Sequence, residues 1–204
     1  MKKPVYGVGV NDKTRPAWVD GKPVKEYDLW QSMLKRCFSE KYQHAIQPIK
    51  VVMFLITSLI THSFTIGVRT KLGFGKVDEK GRSWCLDKDL LFVGNKIYSE
   101  TACVFVPNEI NSFFNEHGNA RGEYPVGVSF HKRVGRFVAQ CTVNGKPQHL
   151  GLFNTPEEAF VVYKPFKENL CKQLALKCQS EIDQRLFNAM MNWQIHQTEE
   201  VNYE

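Results

Sequence analysis

Between residues 124 and 153 the side chains alternate in a way suited to reading a nucleic acid. Phe137, Ala139, Cys141 and Val143 interleave with Arg136, Val138, Gln140 and Thr142. A period of two places the two sets on opposite faces of a strand. The first set can pack on a helix; the second offers a guanidinium, an amide and a hydroxyl. In the major groove of duplex DNA, Arg pairs with guanine and Gln with adenine, while nearby cations neutralise phosphates. His131, Lys132 and Arg133 supply such cations in the preceding turn, and His149 adds an imidazole from the next strand. The competing reading is an ordinary solvated sheet face, and periodicity alone does not separate the two.

The elements that must hold these residues are legible nearby. Val126–Phe130, Arg136–Val143 and Gln148–Phe153 read as three strands, and Asn144-Gly145 is a strong hairpin signal. Thr155-Pro156-Glu157-Glu158 reads as a helix start, with Thr155 as cap, Pro156 in the first turn and Glu158 closing a capping box. A long helix should then run to about Cys178, and another should cover Ser180–Gln194 with Leu186, Phe187, Met190 and Trp193 on its apolar side. Further upstream, Leu29, Trp30, Met33, Leu34, Cys37 and Phe38 follow helical spacing and predict a helix over about 27–42. Ser83–Phe92 and Thr101–Val106 read as strand arms, Gly94-Asn95 as a turn, and Pro107 as the opening of a helix reaching about Glu116. The first 25 residues read as loops, with one short strand at Val5–Val10.

Two stretches resemble known families. Tyr124-Pro-Val-Gly-Val, Arg136-Phe-Val-Ala-Gln and His149-Leu-Gly-Leu-Phe-Asn-Thr-Pro-Glu-Glu-Ala-Phe-Val-Val-Tyr resemble the AP2 DNA-binding domain over about 45 residues. That resemblance implies a three-stranded sheet read into DNA and backed by a helix. It puts contact residues at Ser129, His131, Arg133, Arg136, Gln140, Thr142 and His149, with Lys132 beside them. Leu86-Asp-Lys-Asp-Leu-Leu, Gly94-Asn-Lys-Ile-Tyr-Ser and Cys103-Val-Phe-Val-Pro-Asn-Glu-Ile-Asn resemble the HNH part of phage HNH/AP2 homing endonucleases. The resemblance extends to Gly7-Val-Gly-Val-Asn-Asp, Trp30-Gln-Ser-Met-Leu-Lys-Arg-Cys and Leu186-Phe-Asn-Ala-Met-Met-Asn. An HNH site implies a general base to activate water and Mg2+ or another divalent metal to stabilise the phosphoryl charge.

The chain departs from that pattern where the chemistry would lie. The expected Asp-His reads Asp87-Lys88-Asp89, which removes the histidine base, and a protonated lysine is a poor base at neutral pH. A degenerate site would comprise Asp87, Lys88, Asp89 and Asn111, with Asp87, Asp89 and Asn111 at the metal and Asn95 in the middle position. The competing reading has Asp87 and Asp89 shaping a turn and Asn108 capping the helix. Residues 47–70 also depart from the group.

Composition bounds the rest. The 204 residues carry a formal charge of +6, with 17 bases and 12 acids in 1–119 against 10 and 9 in 120–204. Any DNA contact in the second half therefore comes from local clustering. Lys35, Arg36, Lys88 and Lys96 could add phosphate affinity. Six cysteines lack any C-x-x-C pair, so free thiols in a reducing compartment are expected. Val51–Val68 is uncharged, but its Thr, Ser and His residues favour a buried or interacting segment over a membrane span.

The expectation is an α+β protein with an HNH-like ββα region over 1–117, a linker at 118–123 and an AP2-like domain with C-terminal helices over 124–204. Its expected activity is sequence-specific binding of double-stranded DNA without efficient cleavage, as a repressor of a phage, prophage or phage satellite. It would work in the cytoplasm of a bacterial host, with no cofactor. The alternatives are an active metal-dependent endonuclease and a protein-interaction module. An exposed apolar patch at 51–60 would favour a homodimer.

Overall fold

Chain direction changes in the second half are set by short local signals, and a computed structural model shows how they assemble. It describes residues 3–39, 41, 61–92, 94–95, 98–114 and 123–195. The architecture is α+β, with small antiparallel sheets and five helices among the described residues. It divides into two compact units, Met1–Phe114 with Ser180–Leu186, and Asn115–Gln179 with Phe187–Glu204.

In the first unit, β1 (Trp18–Val19) and β2 (Lys22–Pro23) form a tight hairpin. Asp20 and Gly21 both have positive φ at its turn, 49° and 73°. Asp-Gly is a favoured pair for that geometry, a signal that the loop reading of this region missed. The strand expected at Val5–Val10 reduces to a single pairing, Val5 with Gly9, closed through Tyr6 and Gly7. Helix α1 (Lys25–Phe38) starts two residues before and ends four before the expected bounds. It buries Trp30, Met33, Leu34 and Cys37 on one stripe, as their spacing predicts. Its early start follows from Glu26, a buried carboxylate ion-paired with Arg69 of helix α2 (Thr61–Arg69). Thr61 fastens the start of α2 to the N-terminal loop: its N–H donates to the Val10 carbonyl and its hydroxyl to Asp12 Oδ1, both at 3.1 Å.

The central arms pair as expected but are shorter. β3 is Cys85–Asp87 and β4 is Val104–Val106, antiparallel with Cys85 opposite Val106 and Asp87 opposite Val104. β3 stops at Asp87, short of the expected Phe92, and β4 begins only at Val104 rather than Thr101, so the Gly94-Asn95 turn does not join the arms directly. Helix α3 (Asn108–Phe114) follows with Pro107 just ahead of it, the Pro107 carbonyl accepting from Asn111 N–H. Asn108 stitches the helix start to β3 instead of capping the helix. Its Nδ2 donates to the Ser83 carbonyl at 2.8 Å and its Oδ1 accepts from Cys85 Sγ.

In the second unit, β5 (Val128–His131), β6 (Arg136–Val143) and β7 (Lys146–Phe153) form an antiparallel sheet in that order. Asn144 and Gly145, both at positive φ, turn β6 into β7. Helix α4 (Pro156–Cys178) lies across all three strands. Ala139 and Cys141 on the middle strand meet Ala159, Phe160 and Tyr163 of α4, with Phe137, Leu150 and Phe153 packed around them. Thr155 caps the helix by accepting from Glu158 N–H at 3.2 Å. The Glu158 carboxylate reaches back to Asn154 N–H at 3.0 Å, one residue before the cap that a standard capping box would satisfy. Helix α4 runs through Pro165 because the carbonyl it leaves unpaired, that of Val161, lies on the solvent side of the helix. Helix α5, Gln184–Met191, belongs to the first unit through Leu186 and to the second from Phe187; it is shorter than the expected Ser180–Gln194 because the Asp183 carboxylate accepts from Arg185 N–H and starts the helix there. Trp193 and Ile195, beyond α5, return to the core of this unit.

Gly127 has φ of +76°, and a Cβ built on it would lie only 2.1 Å from the nearest atom of the Tyr163 ring, which is itself buried. The position therefore needs both the left-handed backbone and the missing side chain. Gly127→Ala should destabilise the second unit by about 2 kcal/mol or more through strain and overpacking. Thr155→Ala should cost about 1 kcal/mol by removing the cap. Urea unfolding followed by tryptophan fluorescence checks both, and a glycine variant as stable as the wild type would contradict this packing.

Candidate nucleic-acid interface

The outer face of the β5–β7 sheet gathers every residue expected there. Ser129 and His131 lie on β5, Arg136, Gln140 and Thr142 on β6, and His149 on β7, with Lys132 and Arg133 in the β5–β6 turn. All eight are exposed. The cross-strand register arranges them in rows: His131 opposite Arg136, Ser129 beside Val138, and Gln140 opposite His149. The turn between the first two strands is tied by Val134 and Gly135 N–H groups donating to the His131 carbonyl at 3.0 and 2.9 Å. That closure holds Lys132 and Arg133 at the sheet end.

Strict alternation along β7 would not put His149 on this face. Phe153 pairs with Phe137 on the helix side, so counting by two carries Gly151 and then His149 to the same side. The register instead slips by one between Ala139 and Gln140: Ala139 faces Gly151, and Gln140 faces His149. Leu150 is the extra residue of this bulge and packs against the helix-side core. The insertion reverses parity for the rest of β7 and delivers His149 to the outer face beside Gln140.

The electrostatics are one-sided. From Tyr124 to Pro156 the chain has four Lys or Arg residues and no Asp or Glu. Three of the four, Lys132, Arg133 and Arg136, lie on this face or in the turn at its end; Lys146, at the start of β7, pairs with Val143 and so takes the parity of the opposite face. Leu152 was missed. It lies on the outer face opposite Val138, and only the register reveals that.

The Asp87-Lys88-Asp89 segment builds a loop clasp. Asp87 Oδ1 accepts from the N–H groups of Asp89 and Leu90 at 2.9 and 3.0 Å. Lys88 Nζ donates to the Asn95 carbonyl at 3.1 Å and lies 3.4 Å from Asp89 Oδ2, and Asn95 Nδ2 donates back to the Lys88 carbonyl at 2.6 Å. The Lys88 side chain is 16% exposed and also lies over the Tyr98 ring, so its charge is spent inside the loop. Arg36, expected at phosphate, likewise stacks on Tyr98, while Lys35 lies exposed on α1. Lys96, residues 118–122 of the expected 118–123 linker and residues 47–60 fall outside the described residues. Asn111 is half-buried on α3, and among the described residues no hydrogen bond joins it to Asp87 or Asp89.

A divalent metal fits this donor set poorly. Asp87 already has one oxygen saturated by backbone donors, and Asp89 faces an ammonium group. No group of three His, Cys, Asp or Glu side chains able to hold a metal gathers among the described residues. All six cysteines are free; burial pushes the Cys37 and Cys103 thiols up to about 11 and that of Cys171 to about 12. No helix among the described residues is long and apolar enough to cross a membrane. No family model, curated protein or solved structure matches the chain.

Burial, reinforced by a hydrogen bond with and repulsion from Asp89, raises the Asp87 carboxyl to about 6. The two backbone N–H groups oppose that rise only in part. A folded-state value above the unfolded one means stability that is complete below about pH 4 and lost as pH rises through 6. Asp87→Asn keeps the acceptor oxygen and removes the charge. Its thermal midpoint should therefore gain on the wild type between pH 4 and 6.5 and hold that gain above; parallel curves would refute the assignment.

Proposed function

We propose that this chain is a sequence-specific binder of double-stranded DNA that reads the major groove with the outer face of β5–β7. On a phage, prophage or satellite genome it would repress transcription by occupying a site that polymerase must use. The observation that carries this reading is the exposed, acid-free sheet face, with cations at its end and Arg136, Gln140 and His149 along it. A two-stranded or three-stranded ribbon can enter the major groove, and α4 stiffens this one from behind. The resemblance of about 45 residues from Tyr124 onward to the AP2 domain, and of the central region to phage HNH/AP2 endonucleases, points the same way.

The reading assigns no hydrolytic step to the ββα region. A nuclease of the HNH type needs a base and a metal, and here Lys88 stands where the base is expected while its ammonium binds Asp89 and the Asn95 carbonyl. The region is then a descendant of a cutting module whose loop is closed by a lysine. That history supports a binder derived from a homing endonuclease.

Site selection from fragmented phage and host DNA, in magnesium and moderate salt, tests both parts when fragment ends are sequenced too. One enriched motif with intact ends is expected. New ends at a fixed offset would overturn the non-cleaving part, and no enrichment would overturn the binding itself. On the selected duplex, Arg136→Ala should weaken binding by about 1–3 kcal/mol and relax preference at one base pair. Lys132→Ala should weaken all sequences alike and reduce the slope of log affinity against log salt by about 0.9. Titrations at several salt concentrations separate the two effects.

A further inference from the structure

Leu152 stands apart from the polar residues around it. It pairs with Val138 in the register row between His131–Arg136 and Gln140–His149, and it is 41% exposed. Val138 and Leu152 are both absent from the apolar cluster beneath the sheet, where Phe137, Leu150 and Phe153 belong. The pair is thus an apolar row on the face that carries the cations and amides, and its exposed member is Leu152.

An exposed apolar side chain among base-reading groups has one matching feature in the major groove, the 5-methyl group of thymine. Neither cytosine nor the purines carry a methyl group at that edge. Rows two residues apart on a strand are separated by about 6.8 Å, which matches two base-pair steps of about 3.4 Å each. With the strand running along the groove, the row of Leu152 lies about two base pairs from the row of Arg136.

We infer that Leu152 is a specificity-determining residue that selects thymine by packing on its 5-methyl group, about two base pairs from the base read by Arg136. This rests on the DNA-binding reading above, and it adds an apolar contact that hydrogen-bonding residues cannot supply. Burying one methyl group corresponds to a factor of about four in affinity.

The test scans the selected duplex by replacing each thymine, one at a time, with deoxyuridine, which lacks only that methyl group. Wild-type protein should lose about fourfold at one thymine, placed about two base pairs from the position that Arg136→Ala relaxes. Leu152→Ala should bind the parent duplex about fourfold more weakly and show no further loss with deoxyuridine at that position. Leu152→Ser, which leaves no methyl to meet the thymine, guards against an effect peculiar to alanine and should behave similarly, with circular dichroism confirming the fold. Tight binding that is indifferent to every deoxyuridine, or a methyl effect that persists unchanged in Leu152→Ala, would overturn the inference and leave DNA binding intact. Failure to select any duplex would overturn both.

Discussion

The contact between the middle strand and the long helix is the constraint on which the second unit depends. Ala139 and Cys141 are small, so α4 can approach the sheet closely enough for Phe160 and Tyr163 to fill the gap. Tyr163 in turn rests on Gly127, where no other residue leaves room. Three strands have one face to bury and one to leave free, and this packing fixes which is which. Every exposed residue on the outer face owes its position to the apolar residues on the opposite side of the same strands.

The first unit answers a different problem with the same materials. Its two central arms are only three residues long each, too short to stand as a hairpin alone. They are held by fully buried Phe105, Val106 and Ile110, and by polar stitching through Asn108, Asp87 and Asn95. Side chains that elsewhere would serve a reaction are here satisfied by the backbone around them. A hydrogen bond already made is a poor starting point for binding a metal, because forming the new ligand bond must first undo it.

Local signals with a single physical meaning were legible in the sequence. Asn144-Gly145 permits one kind of turn, Thr155-Pro156 one kind of helix start, and the Trp30–Cys37 spacing one buried stripe; each was found at its place. Features that depend on tertiary partners were not legible. The start of α1 follows from Glu26 meeting Arg69, forty-three residues away, and the shortened arms follow from a connection whose closure runs through Lys88 and Asn95. Ser129, His131, Arg136, Gln140 and Thr142 fell on one face because period two is a strong rule, and Lys132 and Arg133 lie in the turn at its end, yet His149 joined them only through a bulge that the alternation of polar and apolar residues on β7 does not announce. Leu152 was overlooked because, read alone, it is an unremarkable strand residue.

That bulge gives the sheet an unusual way to vary. On either side of Leu150 the same strand obeys opposite parities, so chain length at this one point decides which side chains of Lys146–His149 are presented and which are hidden. Losing or gaining a single codon here would exchange the exposed set for its neighbours in one step, while the strand beyond Gly151 and the helix beneath it kept their packing. A sheet built this way can change the side chains it presents by slippage in its gene as readily as by substitution, with the hydrophobic scaffold left as it was.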